Sequence, residues 1–533
     1  MPPTDEQSAV VPEPDGYPMR VIAALFLFLS FAMPAWARPN IVVIMTDDQE
    51  DTGSMAYLPK VHALLAERGI TFTNSFVNLS LCCPSRVSFL TGQAAHNHGV
   101  KSNDAAKGGG WQAFKDKEGN ALPVWLKSAG YNTALIGKYI NGYGKDKHEQ
   151  THNAASAGGP NLEGKTATQS TVDYCIGLLG KIANIFGKST TAGADWLPAG
   201  WDRWFAFNQV SYYNYRVNDN GTIRKFGKAA SDYSTDVLKD RAVQYIKDQS
   251  AATTSFFLFV ATKTPHGIGE ATEEGGEEEG AATPAPNYAQ KFMDVGLPTG
   301  PAFNEQDVSD KPRWVRNAPS LDAPAKRRLE NIYRAELQSL QSVDDLVEAI
   351  VNALQSANKL DDTIIVFTSD NGFMYGDHRL KSKLVAYEGS IRVPLVIRGP
   401  GIPENQTRSQ LVNNLDLVAT IEDLAEATPG LVPDGRSLAP LFAGNDVSWR
   451  QALLAEGGDD TASATRRFAA VRTASRKYVK YDDGFEELYD LSTDPNELDN
   501  KARDAAFASD LAMLRSQYDT LKSCAGVSCW VGR

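Results

Sequence analysis

Two adjacent cysteines head the stretch of this 533-residue chain with the most chemical promise, Leu81-Cys82-Cys83-Pro84-Ser85-Arg86. Cysteine is scarce, five in the whole chain, so a neighbouring pair stands out. Pro84 suits the first turn of a helix, where its missing N–H costs nothing, and the residues to Thr91 can continue that helix. Cys82 then lies at a helix N-terminus, where unpaired N–H groups favour developing negative charge. Arg86, four residues on, adds a permanent positive charge. A nucleophile that attacks an anionic ester would be well placed here. Taken alone, the hexapeptide also fits a structural cysteine pair at a loop–helix junction.

Other reactive residues recur at one kind of place, the end of an apolar run. The run 41–45 stops at Thr46-Asp47-Asp48-Gln49, and the run 133–136 at Gly137-Lys138, with Asn141 close behind. The run 256–261 leads into Thr262-Lys263-Thr264-Pro265-His266. The run 364–367 leads into Ser369-Asp370-Asn371-Gly372, then Gly376-Asp377-His378 and Lys383. Continuous β-branched runs predict strands buried on both faces, and an open parallel sheet binds ligands outside the carboxyl ends of its strands. Adjacent carboxylates there are costly unless paired or metal-bound; a solvated turn is the alternative. Asp47, Asp48, Asp370 and Asn371 offer oxygen ligands that suit calcium or magnesium rather than zinc. Arg86, Lys138, His266 and Lys383 around them suit a substrate with several anionic oxygens, a sulfate or phosphate ester. Lys138 and Lys383 would clamp it, and His266 would hydrogen-bond or protonate it. His96 and His98 either line the same pocket or form a surface pair without a role.

The elements that must position these residues are legible as periodicity. Helical spacing covers 58–68, closed by Gly69, and also 124–128 and 231–250. The strongest helix is 328–354, whose apolar face is Leu329, Ile332, Tyr333, Leu337, Leu340, Leu346, Val347, Ile350 and Leu354. A further strand covers 394–397. Residues 145–200 read as a long surface excursion and 270–282, rich in glutamate, as a solvated loop. Beyond about residue 436, 478–481 and 487–491 predict short antiparallel strands around Asp482-Asp483-Gly484, followed by a turn and helix from Asp494 to Leu514. The predicted fold is α/β: a large mixed, mostly parallel sheet flanked by helices (38–435), with a smaller C-terminal α+β domain (436–533).

A formal net charge of −12 argues against a nucleic-acid backbone as partner. Residues 1–17 are Pro-rich and acidic and read as disordered. Met19-Arg20, the apolar run 21–33 and Ala35-Trp36-Ala37 have the parts of a secretory signal peptide, too short for a stable membrane span; an uncleaved anchor is the alternative. Export to the periplasm or outside the cell predicts a disulfide loop between Cys524 and Cys529. That leaves Cys82, Cys83 and Cys175, and one solution pairs Cys83 with Cys175.

The Cys82-Cys83-Pro84-Ser85-Arg86 run, with Leu90-Thr91-Gly92 behind it, resembles the C-x-P-S-R signature of formylglycine-dependent sulfatases in the alkaline phosphatase-like superfamily. Asp47-Asp48, Gly137-Lys138, Pro265-His266, Ser369-Asp370-Asn371-Gly372, Lys383, Tyr387-Glu388…Arg392-Val393-Pro394 and Glu487-Leu488-Tyr489-Asp490-Leu491…Asp494-Pro495 match as well, so the resemblance runs from Arg38 to the C-terminus. It implies that a formylglycine-generating enzyme converts Cys82 to Cα-formylglycine. One hydroxyl of the hydrated aldehyde then attacks sulfur with help from the metal, and the second releases sulfate. It further implies calcium, or magnesium in its place, on Asp47, Asp48, Asp370, Asn371 and residue 82. Arg86 would support the nucleophile, and Lys138, His266, Lys383 and Asn141 would hold the substrate. Asn141 stands near where many arylsulfatases carry a histidine, and it cannot act as a base near neutral pH, so activation would rest on Asp48. Gln93 replaces an arginine often found after Leu-Thr-Gly. The double cysteine, His96-Asn97-His98 and 138–141 look more like the glucosamine-6-sulfatase branch. The implied activity is hydrolysis of an aryl or carbohydrate O-sulfate, on a small molecule or glycan. A phosphodiesterase or phosphonate monoester hydrolase of the same superfamily, and a non-catalytic glycan-binding relative, are the rival readings.

Overall fold

A ten-stranded mixed sheet organises residues 40–408. The structure, a computed structural model, describes residues 38–51, 53–144, 193–271, 277–444, 447–458 and 466–532. In chain order the strands are β1 (Asn40–Asp47), β2 (Gly69–Phe72), β3 (Asn132–Gly137), β4 (Arg203–Gln209), β5 (Arg216–Asp219), β6 (Thr222–Lys225), β7 (Phe256–Pro265), β8 (Thr363–Ser369), β9 (Leu395–Arg398) and β10 (Gln406–Arg408). Their spatial order is β10-β2-β9-β8-β1-β7-β3-β4-β5-β6. The five central strands, β8-β1-β7-β3-β4, are parallel, and β9, β5 and β6 enter by antiparallel pairings.

β1 shows why the centre is parallel. All eight residues are buried. Ile41, Val43 and Met45 join one core, while Val42 and Ile44 join the other. A strand with two apolar faces needs helices on both sides. On one face lie α1 (Cys82–Thr91) and α4 (Asn414–Ala425); on the other lie α2 (Ser234–Asp248) and α3 (Ala323–Ser356). α3 is the predicted long helix. Asp322 caps it by accepting from Ala325 N–H at 2.8 Å, and Leu340, Val343, Leu346, Val347, Ile350 and Leu354 form its core stripe.

The predicted pair of short strands belongs to a second, four-stranded antiparallel sheet of Ala452–Gly457, Phe468–Thr473, Arg476–Tyr481 and Glu486–Asp490. One face packs on α5 (Ala508–Leu521) and the disulfide Cys524–Cys529; the other packs on Phe76, Ala386, Ile391 and Leu411.

Several expectations need correction. The 58–68 segment is a single turn at Pro59–Val61 continued by a wider π-turn at His62–Ala66, and Gly69 opens β2 rather than only closing a helix. A Cβ on Gly69 would lie 2.2 Å from Ile397 O, so the glycine serves strand pairing. The C-terminal helix is Ala508–Leu521, later than read from the sequence, with short turns filling the interval. Within 270–282 the backbone forms a short antiparallel pair, Gly269–Ala271 with Glu277–Glu279. The signal-peptide reading (1–37), most of the 145–200 excursion, and Cys175 lie outside the described residues.

Candidate active site

Four neighbouring parallel strands, β8-β1-β7-β3, end at the same edge of the sheet, and their last residues converge. Asp47 closes β1, and Asp48 follows with φ +71°, a left-handed conformation that is uncommon for a residue with a Cβ. Both carboxylates are buried, with Asp47 0% and Asp48 2% exposed. The chain end is stitched to that of β8: Asp48 N–H donates to Asp370 Oδ1 (3.1 Å) and Gln49 N–H to Ser369 Oγ (3.0 Å). Asn371 Nδ2 donates to Asp48 Oδ1 at 2.6 Å.

α1 brings the cysteine pair to this edge. It begins at Cys82 and ends on Gly92 at φ +69°, and every residue in it is buried. Asn103 Oδ1 accepts from Cys83 N–H at 2.8 Å, satisfying one of the orphan donors of the helix start. Arg86, one turn along, donates from Nε to Asp370 Oδ2 (2.8 Å) and from Nη1 to Lys138 O (2.9 Å); its Nη2 lies 3.9 Å from Asp47 Oδ2. Cys82 Sγ lies 3.9 Å from Asp48 Oδ1 and 3.3 Å from Lys383 Nζ.

Lys138 follows Gly137, whose φ of +123° lets it sit where a Cβ would be 1.9 Å from Ala261 O. Lys138 Nζ pairs with Asp47, and Lys383 Nζ pairs with Asp48. His266 follows β7. Its Nδ1 donates to Gly267 O (2.8 Å), because a carbonyl can only accept, and its Nε2 lies 3.5 Å from Asp48 Oδ2. Tyr212 Oη and Lys263 Nζ hold the same loop through His266 O and Gly267 O, both at 2.8 Å. The structure thus brings together Asp47, Asp48, Cys82, Arg86, Lys138, His266, Asp370, Asn371 and Lys383. Asn141 is tied in by its backbone, whose carbonyl accepts from Trp111 N–H at 2.7 Å; its Oδ1 is buried without a hydrogen-bond partner.

The electrostatics follow from packing three carboxylates and three fixed cations into a water-poor space. Burial alone would raise the Asp47 carboxyl, but Lys138, His266, Arg86 and Lys383 hold it well below the usual carboxylate range. Burial and the Asp47 charge push Asp370 up to about 7. Burial pushes the Cys82 thiol up to about 12, so a cysteine here stays protonated and is a poor nucleophile near neutral pH. Asp47 Oδ1 and Asn371 Oδ1 are buried acceptors without a hydrogen-bond partner. Orphaned oxygens beside further carboxylates are the donor set of a hard cation. Asp47, Asp48, Cys82 and His266 each offer a ligand atom, all within 4.8 Å of one another. His266 was not among the metal ligands expected from sequence; Asp370 and Asn371 adjoin the group, bonded to the Asp48 N–H and the Asp48 carboxylate.

His96 and His98 do not line this pocket. His98 is buried, accepts at Nδ1 from Val100 N–H (3.0 Å) and bonds Ser88 Oγ on α1 through Nε2 (3.0 Å). His96 contacts Cys524 O (2.8 Å) and Glu456 (3.0 Å), docking the turn after α1 to the C-terminal disulfide loop. Cys83 carries a free, buried thiol. Sequence reading missed the supporting residues Gln49, Ser369 and Asn103. Only Gln49 and Ser369 had a signal, adjacency to the strand-end carboxylates.

Residues 39–427 match the family described as Sulfatase, and residues 376–523 the one described as N-sulphoglucosamine sulphohydrolase, C-terminal. N-acetylglucosamine-6-sulfatase of Homo sapiens is 33% identical over 92% of this chain and 86% of its own length. Arylsulfatase of Volvox carteri is 31% identical over 96% of this chain and 79% of its own. A solved structure in complex with D-glucosamine-2-N,6-O-disulfate superposes with a TM-score of 0.67 at 23% identity, covering 90% of this chain and 97% of that one.

Proposed function

The chain belongs to the sulfatase family of sulfuric ester hydrolases, and from that premise we propose that it removes the 6-O-sulfate of glucosamine-type units, or sulfate from aryl esters, at the cluster around Cys82. The observation that carries this reading is the meeting of Cys82, at the start of a buried helix, with three carboxylates, an amide oxygen and the cations Arg86, Lys138 and Lys383. The identity to N-acetylglucosamine-6-sulfatase supports the sugar, and that to arylsulfatase supports the aryl alternative.

Asp47, Asp48, Asp370 and Asn371 would hold calcium, or magnesium in its place; bound there, the ion supplies positive charge beside the nucleophile and the sulfate oxygens. Conversion of Cys82 to formylglycine, by a formylglycine-generating enzyme, supplies a hydroxyl nucleophile where the thiol is held protonated. Lys138 and Lys383 hold the sulfate oxygens through charge-assisted hydrogen bonds. Arg86 keeps Asp370 and the Lys138 carbonyl in register. His266 is anchored at Nδ1 on Gly267 O, and its Nε2, 3.5 Å from Asp48 Oδ2, would hydrogen-bond the ester and, once protonated there, hand that proton to the leaving oxygen. Asn141 lines the substrate side as a hydrogen-bonding group. Export is supported by the Cys524–Cys529 disulfide and by similarity to the putative extracellular sulfatase Sulf-1 homolog of Caenorhabditis elegans, 31% identical over 79% of this chain; among the described residues no helix is long and apolar enough to cross a membrane.

The test joins mass spectrometry of the tryptic peptide spanning Cys82 to turnover of 4-nitrophenyl sulfate, a 6-sulfated N-acetylglucosamine glycoside and an aryl phosphate diester. We expect an aldehyde at residue 82, sulfate release from the first two, and no activity in Cys82→Ala. An unmodified thiol with full activity sinks the nucleophile, and a large phosphoryl preference sinks the substrate class.

A further inference from the structure

We propose that Glu118 is the positioning residue for the loop that carries Lys138 and Asn141; the inference rests on the sulfatase reading of the site. Glu118 is 3% exposed, and among the described residues no cation pairs with it; its hydrogen-bond partners are neutral donors, and the nearby charge is that of Asp116. Its Oε1 accepts from Trp111 Nε1–H at 2.7 Å and from Tyr139 Oη–H at 3.0 Å, and its Oε2 accepts from Trp196 Nε1–H at 2.9 Å. An indole N–H can only donate, so both carboxylate oxygens must be acceptors. A buried carboxylate without a counter-ion is expensive, and three donors on one group give it a defined place rather than mere burial.

What that place controls is the strand end of β3. Tyr139 is the residue after Lys138, and Trp111 N–H donates to Asn141 O at 2.7 Å. Glu118 therefore fixes the loop at two points after Lys138, directly through the Tyr139 hydroxyl and, by way of Trp111, at Asn141. The Tyr139 ring is edge-on to Tyr143 and Trp204 at centroid distances of 5.6 and 5.0 Å, so a shift of the phenol carries the loop with it. Immediately before these anchors Lys138 offers its carbonyl to Arg86 and its ammonium to Asp47. Displacing the loop would misplace Lys138 against sulfate without removing any group that touches it.

Glu118→Gln is the diagnostic change, since its amide nitrogen cannot accept from an indole. Trp111→Phe, which deletes one donor and keeps a ring, serves as second variant should the first fail to fold. Glu118→Asp retains two acceptor oxygens. Rates on 4-nitrophenyl sulfate are normalised to the fraction of residue 82 present as aldehyde, by mass spectrometry. We expect kcat per matured site to fall about tenfold in Glu118→Gln and by less in Trp111→Phe, with KM changed under about threefold, and Glu118→Asp to recover part of the loss. Unchanged kcat per matured site in the variants that fold, with only a lower melting temperature, would make the role purely structural and overturn the proposal. No sulfate turnover by the wild-type protein would instead remove the sulfatase reading beneath it.

Discussion

At the scale of single residues, the site is a charge lattice in which almost every group is held by an opposite one. Arg86 is its central tie, 1% exposed and bonded at once to a carboxylate just after β8 and a carbonyl just after β3. A lysine cannot make both contacts, because they need the planar fork of a guanidinium. We predict that Arg86→Lys lowers kcat/KM by roughly 100-fold or more, in the range found when a fixed electrostatic donor is lost. Steady-state kinetics on 4-nitrophenyl sulfate checks this, and activity within threefold of wild type would count against the lattice. The orphaned Asn371 Oδ1 leads to a second prediction. Asn371→Ala should weaken calcium binding, read by isothermal titration, by roughly tenfold, the low end for losing an oxygen at such a site. Asn371 was legible in sequence because it lies just past an apolar run, and Arg86 because it sits in the unusual Cys-Cys-Pro-Ser-Arg stretch. Glu118 and Asn103 were not, because their loops have no period and their partners lie elsewhere in the chain.

At the scale of elements, the site depends on strands ending in register. The central strands were readable because a strand buried on both faces must be apolar throughout. β2, β4, β5, β6 and β10 were missed: β4, β5 and β6 follow a segment without periodicity, and β2 and β10 are only four and three residues long. Gly137, the last residue of β3, shows how tightly the strand ends are set. At φ +123°, a side chain is strained whatever the space, and here a Cβ would also meet Ala261 O at 1.9 Å. Gly137→Ala must therefore push β3 away from β7 and move Lys138 with it. We predict a loss of at least about 2 kcal/mol of stability together with a fall in activity larger than the loss of folded protein. Chemical denaturation alongside kinetics separates the two, and a variant with wild-type midpoint and rate would refute the requirement.

At the scale of the whole molecule, the second sheet is bound to the site by ionic and polar ties. Glu388, five residues after Lys383, is buried between Arg472 and Lys477 of that sheet, and these cations outweigh the effect of burial and hold its carboxyl down to about 2. Asp434 accepts from Ala94 N–H after α1 and from Gly526 N–H inside the disulfide loop, both at 2.7 Å. Such long-range pairs were invisible in sequence, where the two histidines after α1 read either as pocket residues or as a surface pair without a role. Glu422 on α4 stands outside this pairing. It is 5% exposed, its Oε1 has no hydrogen-bond partner, and burial raises its carboxyl from 4.5 to about 8. The sign follows from linkage: the folded state binds this proton more tightly than the unfolded one, so stability falls as pH rises. The penalty is absent below about 4.5, grows up to about 8 and is constant above. Glu422→Gln keeps the shape and removes the titration. We predict that its melting temperature exceeds that of wild type at pH values near 8, by an amount worth roughly 2–4 kcal/mol, and that the difference vanishes toward about pH 4. Parallel melting curves with a constant offset across that window would show that Glu422 finds a partner when ionised, and the prediction would fail.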